Sequence, residues 1–256
     1  MPHAHGLGRN PFTRDARDYG PRALKEREAA GLTTPIARKV VSILDQGDDG
    51  TCVSAGILGA INCALGKARF TNDDIVPFFL QIPGHGALPE GGAEVRQGLA
   101  TAKKLGYIDA YALLATKADQ DDWIEGHGPA VQGMDWYTSM RSPSSKGYVT
   151  VSGSVEGGHC IYGNGDLLLE DDDVNSWGLG WGDDGKFYLT VTNATKIRNG
   201  DFESWGFTLP AVPVPVPTPT PVPVPTPPPA VKTTLQVILA ALKTVVRALE
   251  KLIKSL

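Results

Sequence analysis

Polar and apolar positions divide the chain into four stretches of different character. Residues 1–40 are polar and turn-rich with no sustained period; Arg14-Asp15-Ala16-Arg17-Asp18-Tyr19 reads as an extended, salt-bridged arm and Ala23–Ala30 as a short helix. From Cys52 the run Val-Ser-Ala-Gly-Ile-Leu-Gly-Ala-Ile-Asn-Cys-Ala-Leu is apolar and small on nearly every face, the pattern of a buried helix. Thr51 or Asp49 is placed to cap its start. A second helix is predicted over Ala93–Leu105, ended by Gly106. Beyond it the signals become strand-like, at Ala130–Met134, Tyr148–Val151, His159–Tyr162 and Lys186–Val191. Helices first and strands later predict an α+β body with two lobes over residues 41–209.

The third stretch, Pro210 to Pro229, is a Val-Pro and Thr-Pro tract with eleven prolines. Proline has no N–H and a fixed φ, so this tract predicts a polyproline II linker spanning about 60 Å. The last stretch, 231–256, reads as an amphipathic helix. Leu235, Leu242, Leu249 and Leu256 recur every seven residues, and so do Ile238, Val245 and Leu252. A third row, Leu239, Val246 and Ile253, widens the apolar stripe opposite Lys243, Arg247, Glu250, Lys251 and Lys254. Such a helix assembles chains into an oligomer or docks on a partner protein; a basic amphipathic helix also suits a membrane surface.

Composition supports a packed core, with 41% hydrophobic and 20% charged residues among 256. The net charge of -4 is unevenly spread: residues 1–40 carry eight Lys and Arg against four acids, and 231–256 carry five against one. The body between them is therefore acidic, which argues against nucleic acid as a partner. Three cysteines make no disulfide framework. The first residues lack an apolar core of the signal-peptide kind, so the expectation is cytoplasmic synthesis, followed by release on lysis or a place in a virion. No cofactor or metal is expected. His3 and His5 stand in a polar end, and the charge run Glu170–Asp173 reads as a solvated turn, lacking the spacing of a calcium loop.

Three segments carry candidate chemistry. In Gln46-Gly47-Asp48-Asp49-Gly50-Thr51-Cys52, a thiol stands where a glycine-bearing loop enters the buried helix. A helix N-terminus favours a thiolate, the nucleophilic form. The Cys52 backbone N–H and the Gln46 side-chain amide could together receive an oxyanion. A buried structural cysteine is the competing reading of that segment alone. In Gly157-Gly158-His159-Cys160, a histidine follows two glycines at the start of an apolar strand, a place that another backbone can approach closely. In Asn175-Ser176-Trp177-Gly178-Leu179-Gly180-Trp181-Gly182, two Trp and three Gly surround one Asn. Trp177 could shield a hydrogen bond from Asn175, and a neutral Asn suits the orientation of an imidazole paired with a thiolate.

Together these segments resemble the papain family of cysteine peptidases over about residues 41–208. Gln46 and Cys52 resemble its oxyanion glutamine and nucleophile, Gly158-His159 its base strand, and Asn175 to Gly182 its most specific motif. The resemblance implies a helical lobe facing an antiparallel, barrel-like lobe, with Cys52 as nucleophile, His159 as base, Asn175 as orienter and Gln46 in the oxyanion hole. It also implies a peptide groove at Gly92, Met134, Gly157, Gly158, Cys160 and Trp177. Val53, Asp49 and Cys160 depart from lysosomal and plant members, which carry Trp, a disulfide Cys and a small residue there. The short N-terminal arm, Gly92-Ala93-Glu94-Val95-Arg96 and Gly128-Pro129-Ala130-Val131 resemble the short bacterial and phage members. Cys63 reads as core, and His85 and His127 as surface loops.

The expected function is a cysteine endopeptidase acting on protein or peptide through an acyl-enzyme, tethered to an assembly by residues 231–256. Two others stay open: a non-catalytic papain-like module binding peptide or cell-wall material, and a phage-type hydrolase of cell-wall peptide cross-bridges.

Overall fold

The structure is a computed structural model that describes residues 5–13, 39–167 and 170–211. The charged run at 14–19, the short helix at 23–30, the proline tract beyond 211 and the helix at 231–256 lie outside the described residues.

Helix α1 (Cys52–Leu65) is the buried helix its composition predicted, and every residue from Cys52 to Ala64 is buried. It packs against α2 (Ile75–Phe79), α3 (Val95–Lys104) and the sheet. Its glycines permit the sheet contact: a Cβ at Gly56 would fall 2.9 Å from Cys160 Sγ, and one at Gly59 would fall 2.9 Å from the Tyr162 ring. Larger residues would push α1 off the strand that carries His159, because close-packed interiors have no slack. The predicted side-chain cap is not made. Thr51 holds the N-cap position without a cap bond, and Asp49 meets the turn through its carbonyl, which accepts from Thr51 N–H at 2.8 Å. The Val53 N–H of the first turn is directed at the Cys52 sulfur instead. Helix α3 starts two residues later than expected, and Gly106, with φ of 70°, closes it as predicted.

Among the described residues six strands form one antiparallel sheet: β1 (Ala110–Leu113), β2 (Ala130–Tyr137), β3 (Val155–Leu167), β4 (Glu170–Val174), β5 (Lys186–Thr190) and β6 (Glu203–Thr208). Their order is β1-β6-β2-β3-β4-β5. Helix α4 (Lys117–Gly126) brings Trp123 against β6, where a Cβ at Gly206 would fall 2.7 Å from the indole. Elsewhere the sheet packs Met134, Trp136, Ile161, Trp177, Trp181 and Phe187 into one core. With the helices mostly early and the sheet late, the body is the expected α+β arrangement.

Three expectations fail locally. Tyr148–Val151 is not a strand: Tyr148 makes one isolated bridge to Tyr188, and side chains replace a ladder beyond it, Asn193 accepting from Val151 N–H and donating to Val149 C=O while Ser139 donates to Thr150 C=O and Lys196 to Val151 C=O. The strand at 186 ends at Thr190, because its hydroxyl accepts from Asn193 N–H and starts α5 (Val191–Arg198). The acidic run at 170–173 is strand β4, not a solvated turn. Ladder pairing on both sides satisfies its backbone, and Asp173 is buried.

Candidate active site

Loop and helix set Cys52, and strand pairing sets its neighbours. Cys52 opens α1 with no solvent exposure, and the backbone N–H of Cys160, on β3, reaches its sulfur. His159 is therefore one residue from that contact, opposite Met134 in the β2–β3 register. Asn175 follows the end of β4, and its Oδ1 lies 2.7 Å from His159 Nε2. That oxygen also accepts the Ser176 N–H at 2.8 Å, which fixes the amide orientation. An amide oxygen only accepts, so Nε2 carries the ring proton. Nδ1 then holds a lone pair, and it is buried with no hydrogen bond among the described residues. A neutral imidazole with a free lone pair is what a general base requires.

Indoles enclose this imidazole. Trp136 lies edge-on at 4.6 Å between ring centroids, and Trp177 lies at 4.9 Å. They keep water from the His159–Asn175 bond. Burial chiefly, with Arg141 and His5 adding to it, lowers His159 to about 4 against the opposing pull of Asn175. Burial likewise pushes the Cys52 thiol up to about 11, although the N–H groups of Cys160, Gly8 and Val53 oppose the rise. In this form Cys52 is a thiol and His159 is neutral at pH 7.

Cys52 is dry because the N-terminal residues cover it. His5 stacks on Trp177 with centroids 4.7 Å apart, and its carbonyl accepts from Arg141. The Gly6 carbonyl accepts from Gln46 Nε2 at 3.0 Å. Gly8 reaches the Cys52 sulfur with its N–H and gives its carbonyl to Ala93 N–H at 2.8 Å. Arg9 N–H donates to Gly158 C=O at 3.0 Å, and Asn10 N–H to Ala93 C=O at 2.8 Å. The segment is thus clamped between Ala93, before α3, with which Arg9 makes an isolated bridge, and Gly158, on β3. It can lie this close only as glycine, since a Cβ at Gly8 would fall 1.8 Å from Gly50 O.

Four of the six expected groove residues fall along this segment. A Cβ at Gly92 would meet Gly8 O at 2.4 Å, one at Gly157 would meet Leu7 at 3.4 Å, and one at Gly158 would meet Arg9 O at 2.2 Å. Trp177 lies under His5, whereas Met134 is buried in the sheet core and Cys160 Sγ points at Gly56 of α1. Cys63 is core, with Sγ 3.1 Å from Asn164 Oδ1. His85 is half-buried in a turn and His127 half-buried against Trp123. Sequence reasoning did not single out Arg9, Asp201 or Glu203. The available signal was Gly6-Leu7-Gly8-Arg9, small residues around one cation in an otherwise polar end, and Glu203 placed in an apolar strand. No group of acids, His and Cys among the described residues could hold a metal ion. A cavity of about 460 Å³ bordered by Phe12, Gln120, Arg198 and Glu203 touches none of Cys52, His159 and Asn175.

No protein-family model matches this sequence, and no curated protein does. Solved structures do. Xylellain, a cysteine protease from Xylella fastidiosa, superposes with a TM-score of 0.61 at 20% identity, over 81% of this chain and 97% of that one. Digestive procathepsin L 3 from Tenebrio molitor larval midgut superposes with 0.53 at 15% identity, over 80% and 76%. Procathepsin L2 from the same tissue does so with 0.50 at 17% identity, over 81% and 75%. The described body therefore has the fold of the papain-like cysteine proteases.

Proposed function

We propose that this chain is a cysteine peptidase that cleaves peptide bonds with Cys52, His159 and Asn175, and that the structure is its covered, latent form. The single observation that supports the reading best is the His159 ring. Asn175 holds Nε2, and the lone pair on Nδ1 is left unshared one residue from the strand contact to the Cys52 sulfur.

Once the arm leaves, water and substrate enter and the burial that holds Cys52 near 11 and His159 near 4 is relieved. His159 Nδ1 takes the thiol proton. The thiolate attacks the substrate carbonyl, and the C=O π pair moves to oxygen. Gln46 Nε2, which now donates to Gly6 C=O, and the Cys52 N–H at the helix start receive that oxyanion. The imidazolium returns its proton to the leaving amine, and a thioester remains. His159 then activates water, whose attack frees the acid and regenerates the thiol. Asn175 holds the ring in this orientation throughout. Residues 231–256 would tether the enzyme to an oligomer, a partner protein or a membrane surface.

The test uses the full chain carrying Arg9→Ala, which removes the arm's anchor. An epoxide inhibitor of cysteine peptidases should label Cys52, located by mass spectrometry, and peptide hydrolysis should follow. A folded protein whose Cys52 stays unlabelled would overturn the reading. Release of amines from purified cell wall without cleavage of casein would redirect the substrate to wall cross-bridges.

A further inference from the structure

The arm does more than lie across the groove: it buries an arginine in it. The Arg9 side chain has no exposed surface, an unusual place for a cation. Its Nε donates to Glu203 Oε1 at 3.0 Å, and Nη1 and Nη2 straddle the Asp201 carboxylate at 2.8 and 3.2 Å. Nη1 also reaches the Asp201 carbonyl at 3.3 Å. Burial works against the charged guanidinium, but Glu203 and Asp201 outweigh it, so its pKa lies above the ordinary arginine value.

The pocket around this group is built by the body, not by the arm. A Cβ at Gly133 would fall 2.6 Å from Arg9 Nε and 2.7 Å from Glu203 Oε1, so the missing side chain on β2 makes the room. Gly158 leaves space for the stem, since its Cβ would fall 3.1 Å from Arg9 Cδ. Body contacts hold the Glu203 carboxylate and the Asp201 backbone when the arm leaves, whereas the donors to the Asp201 carboxylate, Arg9 and the Phe12 N–H, leave with it. Trp205 Nε1 donates to Glu203 Oε2 at 2.6 Å, and Asp135 Oδ2 accepts the Asp201 N–H at 3.0 Å, which fixes the backbone that carries the second acid. Removing Arg9 without replacement strands a nearly buried carboxylate, a costly state. Burial already raises the Glu203 pKa, with Arg9 as the largest opposing influence.

We propose that this pocket is the substrate-selecting pocket of the groove, and that it takes an arginine side chain from an extended peptide. The proposal rests on the peptidase reading above and names its substrate class. The backbone that delivers Arg9 is held by Ala93 on one side and Gly158 on the other. Any extended chain seated between those same groups alternates its side chains and directs one into the pocket, whichever way it runs. The two acids present a planar, forked acceptor set. That shape fits a guanidinium better than the compact ammonium of lysine, and an uncharged isostere would leave Glu203 uncompensated. Arg9 is then the arm's imitation of the substrate side chain.

The test measures binding in the full-length Arg9→Ala chain, by calorimetry, with three blocked tripeptide amides: Gly-Arg-Gly, Gly-Lys-Gly and Gly-citrulline-Gly. The arginine peptide should bind at least about tenfold tighter than the citrulline peptide, with lysine between them. Adding Glu203→Gln should reduce that preference to within about twofold. Should Glu203→Gln fail to fold, Asp201→Asn at the partly exposed acid carries the same expectation. Equal binding of arginine and citrulline peptides, or a preference unmoved by both acid substitutions, would show that Arg9 is only an anchor and would overturn the proposal. Because the readout is binding, a chain that selects arginine yet hydrolyses nothing refutes the peptidase reading alone. A chain that hydrolyses peptides without selecting arginine refutes this proposal alone.

Discussion

Gln46 Nε2 donates to the Gly6 carbonyl at 3.0 Å, so the amide expected to receive an oxyanion already holds a carbonyl of the chain itself. The same nitrogen donates to Asp49 C=O at 2.7 Å, and Ser176 Oγ–H donates to Gln46 Oε1 at 2.7 Å. Those two body contacts keep the amide nitrogen aimed into the cleft, where a substrate carbonyl would replace Gly6. In the Arg9→Ala background, Gln46→Ala should therefore lower kcat about a hundredfold or more, the usual cost of one oxyanion donor. Steady-state kinetics check this, with KM expected to move far less than kcat.

Release of the arm should be achievable from two independent positions. Arg9→Ala removes the buried ion pairs, and Gly8→Val introduces a Cβ into the space of Gly50 O. Each should raise the rate of Cys52 alkylation at pH 7 by about tenfold or more over the unaltered chain, since reagent reaches only the opened state. Combined, the two should reach but not exceed the alkylation rate of a fully opened arm, because both act on the same opening. A double variant no faster to react than the unaltered chain would contradict the arm as the cover of Cys52.

The shifted groups give the unaltered chain a bounded range of pH stability. The unfolded imidazole of His159 takes a proton below 6.5, whereas the folded one resists until about 4, so stability is lost as pH falls through that window. The unfolded Cys52 thiol releases its proton above 9.0, whereas the folded one holds it to about 11, so stability is also lost as pH rises through that window. Thermal unfolding across pH should show a loss at each end. His159→Gln should weaken the acid loss, and Cys52→Ala should weaken the alkaline one. Profiles unchanged by these substitutions would contradict the assignment.

Trp136 has no exposed surface and touches His159, Trp177, Trp181 and Phe187. Trp136→Ala should cost about 3–5 kcal/mol by chemical denaturation, as for other large aromatic truncations in a core. Trp136→Phe should cost less and keep the imidazole covered.

The segments with dense, local signals were legible in the sequence. The apolar, small run after Cys52 gave its helix almost to the residue, and the Trp-Gly segment marked Asn175 as the partner of a distant histidine. Helix α4 carried a readable start, Thr116-x-x-Asp119, a reciprocal cap, but its weak apolar face hid it. Strand β4 was hidden by its acids: Glu170 to Asp173 is polar by type, yet pairing on both edges makes it interior sheet. The arm was the largest omission. Arg9 lies 194 positions from Glu203 and 192 from Asp201, and no local period reports an ion pair over that separation. Only the tertiary fold brings them together beside Cys52.

The proposed chemistry depends on Cys52 acting as a nucleophile served by His159 and Asn175. Its most direct test is epoxide labelling of the full-length Arg9→Ala chain with mass-spectrometric mapping, beside peptide hydrolysis by the same protein and by its Cys52→Ser and Asn175→Ala variants. One adduct is expected, on Cys52, with hydrolysis abolished by Cys52→Ser and reduced less by Asn175→Ala. An adduct confined to Cys63 or Cys160, or hydrolysis that survives Cys52→Ser, would contradict it.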